Sequence, residues 1–350
     1  MGYQVIPEDK LEFQKLEDGT YFVCLKHLLH IHQIKWDTPK AREEIEKLGN
    51  FIKDGFPEYA IIPAKYGDKV ITGVSGFEDL HEGHVKVLYD YDDYIRREYA
   101  SGFLHPFPPV RGIRFEEGIK WLSYECFSFC DDLEEVFLPD SLERLGRCAF
   151  QECSVDIGHL PKGLLSFEGE LTKNTSELFL PAKLKSLRNV SASRYIKIHL
   201  DPANPYFEVF DNVLYEKATK KAIVLVDENV KEVTIKEGTE IIGEDCFANR
   251  KALKKVVFSS SVKTIEKGAF SWCGNLEEVH LNEGLLSVGD CAFYNCEGLT
   301  EIIVPASVTK ATYLSFGYCI NLTIRCKAPA KPEGFAHDFC ERSKEVLWGQ

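Results

Sequence analysis

The sequence predicts a β-rich repeat solenoid of parallel-strand coils about 23 residues long, preceded by a small α/β capping region. Three observations predict it. First, "GAFSWCGNLEEVHL" (268–281) and "CAFYNCEGLTEIIV" (291–304) are the same phrase written 23 residues apart, pairing Phe270 with Phe293, Cys273 with Cys296 and Leu276 with Leu299. The phrase recurs around Phe127, Phe150, Phe247 and Phe316. A constant period in this range marks stacked units, each burying its apolar face against a neighbour. Second, "L-x-x-V-x-L" inside the phrase alternates as a short strand does. Third, "SLERLG", "GTEIIG", "SVKTIE" and "GLLSVG" place a second apolar pair after most strands, so each coil has two short extended segments and two corners.

Residues 1–110 form the capping region and carry the repeat weakly or not at all. "GTYFVCLKHLLHIHQI" is rich in aromatic and β-branched residues and reads as a strand or strand pair. "DTPKAREEIEKLGNFIKDG" reads as a helix. Asp37 or Thr38 caps it, Pro39 falls in its first turn, and Gly55 ends it. Ala41, Ile45, Leu48 and Ile52 share one face. Such a segment would cover the apolar cross-section of an end coil. "AIIPAKYGDKVITGV" (60–74) reads as an atypical lead-in coil, and the aromatic, acidic stretch after it has no assignment.

The array occupies 111–327. Its strands are read at "IRF" (113), "VFLP" (136), "GHLP" (158), "LFLP" (178), "IKIHL" (196), "VTI" (233), "VVF" (256), "VHL" (279), "IIV" (302) and "TIRC" (323). One coil is longer, because 35 residues separate His199 from Thr234. The excess, near 205–227, holds two β-rich runs around a Lys-rich centre and reads as a protruding hairpin. Residues 328–350 form a C-terminal cap.

In each coil the Leu, Val and Leu of the strand point inward. The Phe fills the opposite corner, and a small residue before it (Ala149, Ala269, Ala292 or Ser315) leaves room for the ring. Five of the twelve cysteines, Cys130, Cys153, Cys273, Cys296 and Cys319, lie three residues after a repeat Phe. They are read as buried reduced thiols that act as small hydrophobes.

These features resemble the BspA-like (Treponema pallidum-type) leucine-rich repeat proteins. Their repeat is similar to "SVKTIEKGAFSWCGNLEEVHLNEGL" (261–285). The insert "DPANPYFEVFDNVLYEKATKKAIVLV" looks like the family's inserted segment, and "IRCKAPAKPEGF" like its closing segment. The likeness covers roughly 111–335, with Arg250 in place of the repeat Cys as a departure and no evident strand in "HDFCERSKEVLWGQ". The resemblance implies a leucine-rich repeat solenoid associated with adhesion and protein interaction, and no catalytic residues.

The residue between each inward pair points out. One per coil gives Arg114, Phe137, His159, Phe179, His199, Thr234, Val257, His280 and Ile303, read as a ladder along one sheet and taken as the candidate binding surface. An outward strand position also favours aromatic and β-branched residues for its own sake, so exposure in a contiguous patch is what would distinguish the two.

The main expectation is a non-catalytic binding module for a protein or glycan partner. The chain has no phosphate-binding glycine loop, nucleophile elbow, zincin or EF-hand motif, so no cofactor and no metal are expected. Cys24, His27, His30 and His32 are the densest ligand-type cluster, without a second ligand pair. A net charge of −13 argues against nucleic acid, and no apolar run is long enough for membrane insertion. The opening residues lack a basic start and apolar run, which points to a cytoplasmic protein; a removed leader would make it secreted or surface-bound. Two rivals stay open: an enzyme with its site in the first 110 residues, and a self-associating structural protein.

Overall fold

The structure, a computed structural model, describes residues 2–25, 56–74, 110–123, 126–128, 130, 132–169, 171–172, 174–190 and 197–350. The helix expected over 37–55, the histidines at 27, 30 and 32, and the Tyr/Asp-rich stretch all lie outside the described residues. The chain divides into two compact units, 1–175 with 186–188, and 176–185 with 189–350. Each is a stack of coils built from short parallel strands, with a single three-residue 3-10 turn, Glu8–Lys10, as the helical element among the described residues.

In the first unit, Gln4–Val5, Tyr59–Ile62, Gly112–Phe115 and Glu135–Phe137 pair in parallel, in that order. The other face runs from the antiparallel pair Leu11–Lys15 and Tyr21–Leu25 through Lys69–Val74, Trp121–Leu122, Arg144–Leu145 and Ser166–Glu168 to Ser186–Arg188. The described N-terminal strands therefore join the same sheets as the repeats. Ile6, Ile62, Ile113, Leu122, Leu142 and Leu145 fill the space between the faces. Phe127 stacks on Phe150 with centroids 5.3 Å apart.

In the second unit, Ile241–Ile242, Thr264–Ile265, Ser287–Val288, Lys310–Ala311 and Gly334–Phe335 form one parallel face. The facing strands are Glu177–Leu180 with Lys197–Leu200; Glu232–Thr234, Lys255–Val257 and Glu278–His280; and Glu301–Val304, Thr323–Cys326 and Glu345–Trp348. That last strand lies in the segment where the sequence reading found none. Phe247, Phe270, Phe293 and Phe316 are fully buried. Their rings stack at 4.8, 4.9 and 5.3 Å and within 4° of parallel, close to the ~4.8 Å strand spacing that sets the repeat.

The insertion holds three antiparallel strands, Phe207–Phe210, Val213–Glu216 and Lys221–Leu225, where the sequence shows two runs. The extra strand is joined by Asp211 and Asn212, both left-handed with φ of 44° and 61°. Asp and Asn tolerate that region, so this pair does the work usually given to Asn-Gly.

The repeat cysteines do more than fill space. The Phe N–H donates to the next coil, from Phe270 to the Ala292 carbonyl and from Phe293 to the Ser315 carbonyl (2.7 and 2.8 Å). The Phe carbonyl accepts from the next coil's thiol: Cys153 donates to Phe127, Cys273 to Phe247, Cys296 to Phe270 and Cys319 to Phe293, at 2.9–3.2 Å. Both backbone groups of a buried turn are thus satisfied, which explains a thiol better than size alone.

All twelve cysteines are free thiols. Burial pushes the Cys273 thiol from 9.0 up to about 12. A folded value raised above the unfolded one favours the protonated thiol. The associated stability is present below pH 9 and is lost as pH rises towards 12. Stability is therefore expected to fall above about pH 9. At pH 8 the ladder thiols should resist a disulfide reagent in the native protein and react after unfolding without reductant. A Cys273–Cys296 pair found oxidised would sink this.

Candidate binding surface

Strand alternation places every one of the nine outward residues with its side chain exposed or half-buried; the flanking strand residues are buried around Arg114, His159, Phe179, Thr234, Val257 and Ile303, whereas Val136, Leu138, Leu200 and Leu281 are themselves half-buried. They do not share one sheet. Arg114 and Phe137 are register partners in the first unit, where His159 stands exposed between buried Gly158 and Leu160. In the second unit Phe179 pairs with His199, Thr234 with Val257 and then His280, and Ile303 with Arg325. The break between His199 and Thr234 has a physical cause. The returning insertion places Asp227 beside Lys197, and Ile198 N–H donates to the Val226 carbonyl at 2.7 Å, so the strand edge is already taken.

The first-unit cluster is the densest. The Arg114 guanidinium lies 4.7 Å from the ring centroids of both Tyr3 and Phe137. Tyr3 packs edge-on against Tyr59 (5.6 Å) and Phe137 (5.9 Å). Its hydroxyl donates to Glu135 Oε1 at 2.7 Å. Burial, then the Glu135 carboxylate, pushes that hydroxyl well above its ordinary range, so it remains a donor. Gly112 makes the seat: a Cβ there would sit 2.6 Å from Tyr3 Oη and from Tyr59 Cδ1. Val5 and Ile61 continue the row of Arg114 and Phe137. The sequence reading missed Tyr3, Val5, Tyr59 and Ile61, because their strands fall outside the fixed period. Arg325, continuing the Ile303 row, was legible by alternation alone.

In the second unit, His199 stacks flat on Phe179, with centroids 4.3 Å and planes 6° apart, and its Nε2 lies 2.9 Å from Glu177 Oε2. His280 contacts Glu278, which also accepts from Lys255 at 2.8 Å. Lys255 and then His280 hold the Glu278 carboxyl below its ordinary range. These exposed pairs order the face and add little stability. Among the described residues no group of three or more His, Cys, Asp or Glu side chains is placed to hold a metal, and no helix is long and apolar enough to cross a membrane. The arrangement offers stacking rings, cations and hydrogen-bonding edges on rigid strands.

Comparison with known proteins agrees with this architecture. The pneumococcal vaccine antigen PcpA has a similar structure, with a TM-score of 0.61 at 20% identity over 84% of this chain and 68% of that one. A leucine rich cell surface protein from Faecalibacterium prausnitzii A2-165 gives 0.54 at 16% identity, over 98% and 94%. At these identities the likeness is one of fold. No curated protein matches the chain. The BspA type leucine rich repeat region, however, matches in six copies over residues 107–197 and 226–326, more than half of the sequence. By its repeat and its fold alike, the chain belongs to the BspA-type leucine-rich repeat family.

Proposed function

We propose that the protein is a non-catalytic binding module that recognises a protein or glycan through the outward faces of its parallel strands, with Arg114, Phe137, His159, Phe179, His199, Thr234, Val257, His280 and Ile303 as the contact positions. The observation that carries this is the Tyr3–Arg114–Phe137 stack. Phe137 is 44% exposed, yet it is held between an edge-on ring and a guanidinium. An aromatic and an Arg fixed before any partner arrives lose little conformational freedom on binding, which is the character of interface anchors. The surfaces are long strand faces, suited to an extended or folded macromolecule and not to a small substrate that needs a closing pocket. One protein of similar structure is a leucine rich cell surface protein, which fits such a role.

The test is a pull-down and glycan array with the wild type and a Phe137→Ser/Phe179→Ser/His280→Ala variant. All three residues are at outward positions, so the variant should keep its circular dichroism spectrum. It is expected to lose the wild type's partner. Retention of every partner would move the site off the strand faces.

A further inference from the structure

We propose a second binding surface, on the turn edge of the second unit, where Trp272, Tyr294, Tyr318 and Arg342 take a neutral, extended oligosaccharide. Four successive coils each contribute one planar group. Trp272 and Tyr294 have ring centroids 5.7 Å apart with planes tilted by 59°, Tyr294 and Tyr318 5.0 Å apart with a tilt of 42°, so each ring turns its face to a different angle along the edge, and the Arg342 guanidinium lies 4.9 Å from the Tyr318 centroid.

Neither the backbone nor burial accounts for the tryptophan. Each of the four stacked Phe of the second unit is followed two residues later by a left-handed residue: Asn249 (φ 57°), Trp272 (62°), Asn295 (56°) and Tyr318 (61°). Their N–H groups donate to the next coil, from Trp272 to Tyr294 and from Asn295 to Gly317. Asn suits that conformation, whereas a bulky ring there is an outlier. Trp272 also leaves 55% of its surface in solvent, so the core gains little from it. A position that the fold would fill with Asn instead presents an indole outward.

The spacing selects the occupant. An extended peptide places same-face side chains about 6.6–6.8 Å apart, and a polyproline helix about 9.3 Å, so neither keeps step with rings 5.0–5.7 Å apart. A helical peptide matches in pitch, at about 5.4 Å per turn, but requires an apolar groove. Here the rings alternate along the column with Asn249 and Asn295, and Trp272 projects outward. One ring per sugar, flanked by amides and a guanidinium fork that donate to hydroxyls, fits an equatorially linked hexopyranose chain, whose rise per sugar is close to the coil repeat. The chain's net charge of −13 disfavours a polyanionic glycan.

The experiment is calorimetric titration of the full chain with cellohexaose, chitohexaose and a galacturonate hexamer, using the wild type, Trp272→Asn and Tyr318→Ser. At least one neutral hexamer should bind, and the galacturonate should not. Trp272→Asn should weaken binding about tenfold, the loss of one stacking ring, while melting no lower than wild type because Asn suits the left-handed turn. Tyr318→Ser provides the same readout at a second ring. The Phe137→Ser/Phe179→Ser/His280→Ala variant should bind the hexamer as wild type does, which separates this surface from the strand faces. Binding of neither neutral hexamer, unchanged binding by Trp272→Asn and Tyr318→Ser, or loss in the strand-face variant would each overturn the proposal.

Discussion

Phe293→Ala is expected to lower the unfolding free energy by about 3–5 kcal/mol. The ring is fully buried and stacked between Phe270 at 4.9 Å and Phe316 at 5.3 Å. Truncation removes the transfer energy of the ring and leaves a cavity. The cavity cannot close, because coil spacing is fixed by backbone bonds such as Phe293 N–H to Ser315 O, 2.8 Å. Two stacking contacts are lost as well, each about 0.5–1.5 kcal/mol beyond area burial. Outward His280→Ala deletes an exposed side chain and should change stability by no more than about 0.5 kcal/mol. Denaturant titration of the two variants decides. Equal losses would mean that the inward and outward faces are exchanged.

The same contrast shows what the sequence could reveal. The Phe stack was legible because each coil must present one cross-section to the next, and this forces a fixed period on Phe247, Phe270, Phe293 and Phe316. Phe339 keeps the period, 23 residues after Phe316, but was not read as part of the spine. Its Cys position is Arg342, and the position six residues after the Phe, Leu276 and Leu299 in the central coils, is Glu345. Its ring meets Phe316 edge-on at 87° instead of stacking. Of the N-terminal coils only 60–74 was legible, as a lead-in coil, and without a register to the repeats. Ala60 pairs with Ile113, 53 residues on, so no constant interval marks it. The coils between Arg144 and Leu200 pair at intervals of 20 to 22 and blur the period.

Side-chain direction within the candidate site was legible, since alternation along a strand is geometric. Which outward residues share a sheet was not, because pairing beside Lys197–Leu200 is decided by an insertion that returns from outside the repeat. The aromatic edge was hidden altogether. Trp272 and Tyr318 sit in left-handed turns, where no periodic rule assigns a direction.

Arg250→Cys, which writes the repeat residue back into its coil, is expected to destabilise the protein by about 2–4 kcal/mol. In four coils a thiol at this position donates to the Phe carbonyl of the preceding coil. Before Arg250 the preceding layer is the insertion, whose strand Lys221–Leu225 ends there. Arg250, 3% exposed, reaches it with Nη2 donating to the Leu225 carbonyl at 2.9 Å. A thiol is too short for that span, so Cys leaves both a void and a buried acceptor without its donor. Burial holds the guanidinium below its ordinary pKa, and the Glu228 carboxylate opposes that shift. Met keeps most of the arginine's volume, so the space that Cys would empty stays filled. Arg250→Met still leaves the Leu225 carbonyl without this donor but opens no comparable void, so it should lose about 1–2 kcal/mol, less than Cys. The order wild type, Met, Cys in denaturant midpoints tests the argument. If Arg250→Cys unfolds with the wild type, the position is an ordinary repeat site and the arginine does not join the insertion to the coil that follows it.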